Sequence, residues 1–345
     1  MRDAIPRRRK GVRLSDRDLV RFEYFDDTAK FPLVIAPGVE DLNLVAWAGE
    51  RKALIEGALL DHGAVLFRGF RNDTVDDFSQ FVSSLTDEQM DYRERAAARS
   101  EVAAQVYTST AYPADQRIPL HHEMSYSHSW PTKIWFYCSL PPRTGGRTPI
   151  ADDRKVVDML SPSIKDAFRR KGVMYVKNYG NGLDLCWQDA FQTDDPAVVE
   201  RYCREAGMTC EWRGEGRLRT RAVRHVMVSH PKLGCSLWFN HAHMFHLSNL
   251  SADVRAGLLA QFDDDEVPRN AFFGDGSPIP DAMMDEVRKT YDRAMVAFDW
   301  RQGDILLLDN FLTSHGREPF TGPREILVAM AERFTLGATA RSETV

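Results

Sequence analysis

Short continuous apolar or aromatic runs alternate along this chain with amphipathic stretches of helical spacing. Leu42 to His62 sets Leu44, Trp47, Leu54, Ile55, Ala58 and Leu59 at helical intervals and stops at Gly63. GAVLFRGF, 63–70, is β-rich and bounded by glycines, and Thr74 then offers an N-cap to the amphipathic VDDFSQFVSSL. Before them, residues 1–30 read as an irregular arm, and Phe31 to Ile35 is a short apolar run interrupted by Pro32. TKIWFYCSL, 132–140, reads as a strand buried on both faces, and RTPIAD starts another after a Pro- and Gly-rich turn.

Residues 154–171 predict two short helical pieces, the second capped by Ser161 with Pro162 in its first turn. GVMYVKNYG, HVMVSH and CSLWFNHAHMF read as strands. DDPAVVERYCREAG, 251–262 and Asp281 to Phe298 read as helices, and Asp263 to Glu266 as a solvated helix end. GDILLLDN, 303–310, and REILVAMAERF, 324–334, close the chain as strong strands. The pattern predicts a mainly β protein with flanking helices: a double-stranded β-helix, or jelly roll, with long helical insertions. Its expected division is an N-terminal arm over 1–30 and one domain over 31–345, with an insertion at about 155–300.

Composition narrows the class. The 345 residues carry 45 basic and 50 acidic side chains, a net charge of −5. That balance argues against nucleic-acid or membrane affinity. No run approaches the roughly 18 apolar residues of a membrane span. The basic opening MRDAIPRRRKGVRL lacks the apolar core of a secretory signal. The five cysteines are odd in number and form no C-x-x-C, so reduced thiols in a cytoplasmic protein are expected.

Candidate chemistry centres on IPLHHEMSYSHSW, 118–130. In an extended chain His121 and Glu123 share a face and His122 takes the other. A second, distant histidine would complete the two-His-one-carboxylate triad of non-haem Fe(II) oxygenases. His315 in LTSHGREPF, beside Gly316, is the natural third ligand. Taken singly, each has a bland alternative: a solvated strand end for His121 and Glu123, a core or surface residue for His315. Arg324 opens an apolar strand nine residues later. A guanidinium there needs an anion, since burying it unpaired is too costly. Its planar fork suits bidentate capture of a carboxylate, which in a 2-oxoglutarate enzyme would be the distal end of the co-substrate. Thr148 could add a hydroxyl to the same carboxylate, or be an ordinary strand residue.

Other histidines and arginines offer rival readings. His241 and His243 in NHAHMFH form a second same-face pair if extended, as in cupin-type metal sites, but no carboxylate accompanies them. Phe239, Asn240 and His243 are candidates for the substrate pocket. Arg219, Arg221 and Arg224 in LRTRAVR lie on an expected strand. They could bind a substrate carboxylate or phosphate, Arg221 among them, or form a salt-bridged face.

HHEMSYSHSWPTKIWFYC, TGGRTPIADDRKV, WFNHAHMFH and GDILLLDNFLTSHGREPFTGPREILVAM together resemble the TauD/TfdA-like, clavaminate-synthase-like Fe(II)/2-oxoglutarate dioxygenases. Within them, the chain looks most like the branch around the syringomycin aspartyl-β-hydroxylase. The resemblance spans about residues 60–335. It implies His121, Glu123 and His315 as iron ligands and Arg324 and Thr148 as 2-oxoglutarate contacts. His122 stands where relatives often carry Asn, and Glu325 where some have a second Arg. Halogenases of the superfamily have a small residue at the position of Glu123, so its carboxylate implies hydroxylation or another oxidation in place of halogenation.

The expected cofactor is Fe(II), with 2-oxoglutarate and O2 as co-substrates. The expected substrate is an amino acid or amino-acid-derived unit, free or tethered to a peptidyl carrier protein in natural-product biosynthesis. Epoxidation or desaturation are open alternatives, as are a non-catalytic jelly-roll binding protein and a metal site at 241/243.

Overall fold

In the strand Ile305–Asp309, successive side chains point to opposite faces of a sheet. Leu306 and Leu308 belong to one apolar cluster, Ile305 and Leu307 to another. Both faces are covered, which is why this stretch is continuously apolar. The computed structural model describes residues 19–90, 101–103, 105–109, 112–214 and 216–336.

Ile305–Asp309 lies inside an eight-stranded sheet. The sheet runs Val20–Asp26, Phe31–Pro37, Ala64–Phe67, Ile305–Asp309, Ser129–Leu140, Glu325–Thr335, Val106–Thr108, Glu101–Ala103. Its inner face supplies Ile134, Phe136, Leu306, Val328 and Met330 to the cluster that holds Ile150, Phe298 and Leu312. These last belong to or adjoin a facing four-stranded sheet: Val296–Phe298, Thr148–Asp152, Thr313–Arg317, Ile118–His121. Two sheets closed on one apolar interior make the expected jelly roll. Each Leu, Ile or Phe sealed there contributes ~1.5–3 kcal/mol.

Helices cover the outer face of the large sheet. Leu42–His62 divides at Arg51 into Leu44–Glu50 and Lys52–His62, the first capped by the Asn43 side chain. Thr74 and Asp77 form a capping box that starts Val75–Leu85. On the outer side of the small sheet, Leu120 and Ala151 pack against the insertion. Its helices Asp153–Met159, Pro162–Lys171 and Asp281–Ala294 join a further sheet ordered Met208–Arg213, Arg217–Arg224, Val173–Tyr179, Arg269–Phe273.

Three expectations change. The arm expected over 1–30 contains a strand, because Val20–Asp26 pairs antiparallel with Phe31–Pro37, from Val20 opposite Pro37 to Asp26 opposite Phe31. Asp26 Oδ1 accepts from Thr28 N and Ala29 N and shapes the turn. Residues 1–18 lie outside the described residues. The helix expected over 281–298 ends at Ala294, and Val296–Phe298 pairs with Thr148–Asp152. CSLWFNHAHMF is a strand only over Ser236–Trp238; a short helix, Ala242–Phe245, follows.

Candidate metal centre

The small sheet sets two histidines side by side. His121 ends its strand directly opposite His315 of Thr313–Arg317, with ring centroids 4.6 Å apart. Gly316 permits that approach: a Cβ there would lie 2.6 Å from the Ile118 carbonyl oxygen, so any larger residue forces the strands apart. Glu123 follows two residues after His121, and its Oε2 lies 3.8 Å from His315 Nε2. The potential ligand atoms of His121, Glu123 and His315 all fall within 4.8 Å of one another. No other trio of His, Cys, Asp or Glu gathers this way among the described residues.

The tautomer of His121 is set by its surroundings. Its Nδ1 lies 2.9 Å from the Pro119 carbonyl oxygen, which only accepts, so Nδ1 carries the proton and the Nε2 lone pair is left for a metal. Glu123 is held by its backbone: the fully buried Asn310 accepts from Glu123 N through Oδ1 at 2.9 Å. Its Nδ2 donates to Glu123 O at 3.0 Å and to Pro131 O at 2.8 Å. Nothing in the sequence around Asn310 signals this strap.

His122, between the two candidate ligands, points the other way and is fully buried. Its Nδ1 is 2.6 Å from Asn310 O, and its Nε2 is 3.1 Å from Trp238 O and 3.2 Å from Asp153 Oδ1. Acceptors at both ring nitrogens require a proton on each. Burial opposes that charge, but Asp153 and the two carbonyls outweigh it and raise the pKa.

Two cavities meet at this centre. A narrow one is lined by His121, His315, Thr148, Arg317 and Arg324. Arg324 donates through Nε to Gly146 O at 3.2 Å. Its other guanidinium nitrogens have no acceptor among the described residues. Burial, then the neighbouring Arg317, push its pKa down to about 10, so it stays charged at neutral pH in a place that favours an anion. Thr148 Oγ1 accepts from Trp300 Nε1 at 3.0 Å, which leaves its own O–H to donate. Arg317, which sequence reasoning missed, clamps the carbonyls of Tyr112, Pro113 and Gln116.

The wide cavity, of about 1040 Å³, shares His121 with the narrow one and includes Glu123. Tyr126, His241, His243, Phe245, Arg269 and Arg288 also line it. The centre therefore stands between a small cationic pocket and a large mixed one.

The rival sites separate from this geometry. His241 Nδ1 meets Ser125 Oγ at 2.6 Å and His243 Nε2 donates to Leu120 O at 2.7 Å. They flank a helix start instead of sharing a strand face, so the 241/243 metal reading fails. Burial, with His121 and His243 nearby, holds His241 far below the usual pKa, and burial chiefly pushes His243 down to about 3.

Three expected substrate contacts are corrected. Phe239 is a core ring, stacked on Phe311 at 5.3 Å and tilted on Trp130 at 4.8 Å. Asn240 turns its Oδ1 to cap Ala242 N at 3.0 Å. Arg221 pairs with Asp265 at 3.1 Å and Glu211 at 3.3 Å, so the salt-bridged face describes it. None of the three lines either cavity. Asp265 and Glu266 also take Arg219, so the acidic run is a set of partners and not merely a solvated end.

Comparison with known proteins adds a family context. Residues 29–330 match the model of the taurine catabolism dioxygenase TauD, TfdA family. The dapdiamide synthesis protein DdaC of Enterobacter agglomerans is 42% identical over 278 residues, 81% of this chain and 84% of that protein. The clavaminate synthase-like protein At3g21360 of Arabidopsis thaliana is 30% identical over 329 residues, 89% of this chain and 95% of that one. The structure of PvcB, an Fe, alpha-ketoglutarate dependent oxygenase from an isonitrile synthetic pathway, superposes with a TM-score of 0.52 at 18% identity, covering 94% of each chain.

Proposed function

Because the chain belongs to the TauD, TfdA family and is an Fe(II)/2-oxoglutarate-dependent dioxygenase, we propose that it hydroxylates an unactivated C–H bond of an amino-acid-derived substrate. His121, Glu123 and His315 hold the iron, and Arg324 with Thr148 holds the distal carboxylate of 2-oxoglutarate. The observation that carries this reading is the convergence of those three ligands where the cationic pocket meets the wide cavity.

When bound, iron and 2-oxoglutarate supply an O2-dependent oxidation coupled to decarboxylation of the keto acid to succinate. The chain's own residues do the rest. Arg324 orients the co-substrate by its fork. Buried rings such as Tyr126 and Phe245 keep water sparse around the substrate. Glu123 fills the ligand position that a chloride would need, which favours transfer of oxygen over halogenation.

The wide cavity, near the upper end of the range for small-molecule sites, favours a substrate larger than a free amino acid. An amide conjugate or a carrier-tethered aminoacyl unit meets that requirement. The likeness to DdaC, a dapdiamide synthesis protein, supports a place in natural-product biosynthesis. Epoxidation or desaturation would follow from the same centre if the substrate presented an alkene or a suitable adjacent C–H.

The test is succinate release with Fe(II), 2-oxoglutarate and a panel of amino acids, free, amidated and carrier-bound, with mass spectrometry of the product. Coupled succinate and a gain of one oxygen at a saturated carbon supports the proposal. A loss of two hydrogens, or oxygen gained only on alkenes, overturns hydroxylation.

A further inference from the structure

The three ligands sit on two separate segments, 121–123 and 313–317, and something must fix one against the other. Asp153 touches both. It begins the helix Asp153–Met159, directly after the strand that pairs with Thr313–Arg317, and is fully buried. Its N–H donates to Leu312 O at 2.8 Å. Its Oδ2 accepts from Ser314 N at 2.9 Å, the residue before His315. Its Oδ1 lies 3.2 Å from Nε2 of His122, the residue between His121 and Glu123, and accepts from Tyr291 OH at 3.1 Å.

His122 carries the connection onward to the Asn310 carbonyl, whose own side chain straps Glu123. One carboxylate thus ties the backbone beside His315 to the side chain between the other two ligands. A buried ion pair is seldom more stabilising than an apolar pair of the same volume. What this one supplies is geometry.

We propose that Asp153 is a positioning residue for the metal centre, fixing the His121–Glu123 segment against His315 through His122 and the Ser314 amide. Groups hydrogen-bonded to metal ligands commonly change affinity about 10–100-fold when removed, which sets the upper range for Asp153, whose contacts are to residues adjoining the candidate ligands. Asp153→Asn is a sharp probe because both carboxylate oxygens face donors. The amide offers one acceptor oxygen where the carboxylate offers two: with that oxygen on the Ser314 N–H, the NH2 faces His122 Nε2 and Tyr291 Oη, and His122 loses its acceptor.

The inference rests on the metal assignment above, and the experiment separates the two. Mn(II) affinity is measured by calorimetry without 2-oxoglutarate, and the Co(II)-substituted protein is examined by absorption spectroscopy. Absence of Mn(II) binding by the unmodified protein would remove the metal assignment itself. Given binding, D153N is expected to lose about 10- to 100-fold in affinity and to change the Co(II) ligand-field spectrum. Tyr291→Phe, which removes a donor to the same carboxylate away from the ligand segments, should stay within about twofold.

Wild-type affinity and spectrum in folded D153N overturn the role. So does a Y291F loss as large as that of D153N, which would indicate general loosening. If D153N does not fold, His122→Asn decides. It keeps a donor toward Asn310 O but drops the arm to Asp153. A clear loss of Mn(II) affinity at an unchanged melting temperature supports the role, and unchanged affinity overturns it.

Discussion

In the proposed reading His121, Glu123 and His315 hold the metal and Arg324 only the co-substrate, so substitutions should separate the two. Arg324→Ala is expected to raise the Kd of 2-oxoglutarate by about 1.5–3 kcal/mol, roughly 10- to 150-fold, with Mn(II) affinity unchanged; titration of each alone checks this. Asn310→Asp keeps the acceptor for Glu123 N but turns an oxygen toward the carbonyls of Glu123 and Pro131. A loss of about 1–3 kcal/mol in chemical denaturation is expected. The convergence of His121, Glu123 and His315 was legible because metal chemistry restricts which residue types will serve and strand periodicity fixes which share a face. Asn310, Asp153 and Trp300 were not. Their partners lie far along the chain, and an Asn or Asp at a strand end has many ordinary uses.

Two strands, Ile118–His121 and Thr313–Arg317, bring the histidines into register, and Gly316 sets their spacing. Gly316→Ala places a methyl against the Ile118 carbonyl, so stability should fall by about 1–3 kcal/mol in thermal or denaturant unfolding. Mn(II) affinity should fall with it. On the neighbouring sheet, Arg221→Ala should leave the substrate KM within about twofold, because Arg221 faces Glu211 and Asp265 outside both cavities. A steep KM rise would restore it as a substrate contact. Sequence periodicity found the strands with covered faces, since 132–140 and 303–310 are apolar throughout. It missed Val20–Asp26, an edge strand whose alternation is mostly exposed, and Val296–Phe298, three residues appended to an amphipathic helix. The turn from strand to helix after Trp238 is tied by Asn240 Oδ1, which accepts from Ala242 N, a local hydrogen bond that apolar spacing cannot reveal.

At the scale of the molecule, two sheets and a helical insertion leave one centre shared by a cationic pocket and a much larger cavity. The jelly roll was legible from the number and apolarity of its strands and from the family resemblance. The wide cavity was not, because its lining comes from stretches as distant as 112, 183, 245 and 291, brought together only by the insertion's packing. No described helix is long and apolar enough to cross a membrane. We expect one metal at this junction, with 2-oxoglutarate on the Arg324 side. Anomalous diffraction from crystals grown anaerobically with Mn(II) and 2-oxoglutarate tests it most directly. A single strong peak is expected in contact with His121, Glu123 and His315, with the distal carboxylate of 2-oxoglutarate against Arg324. A peak between His241 and His243, or 2-oxoglutarate bound away from Arg324, would contradict it.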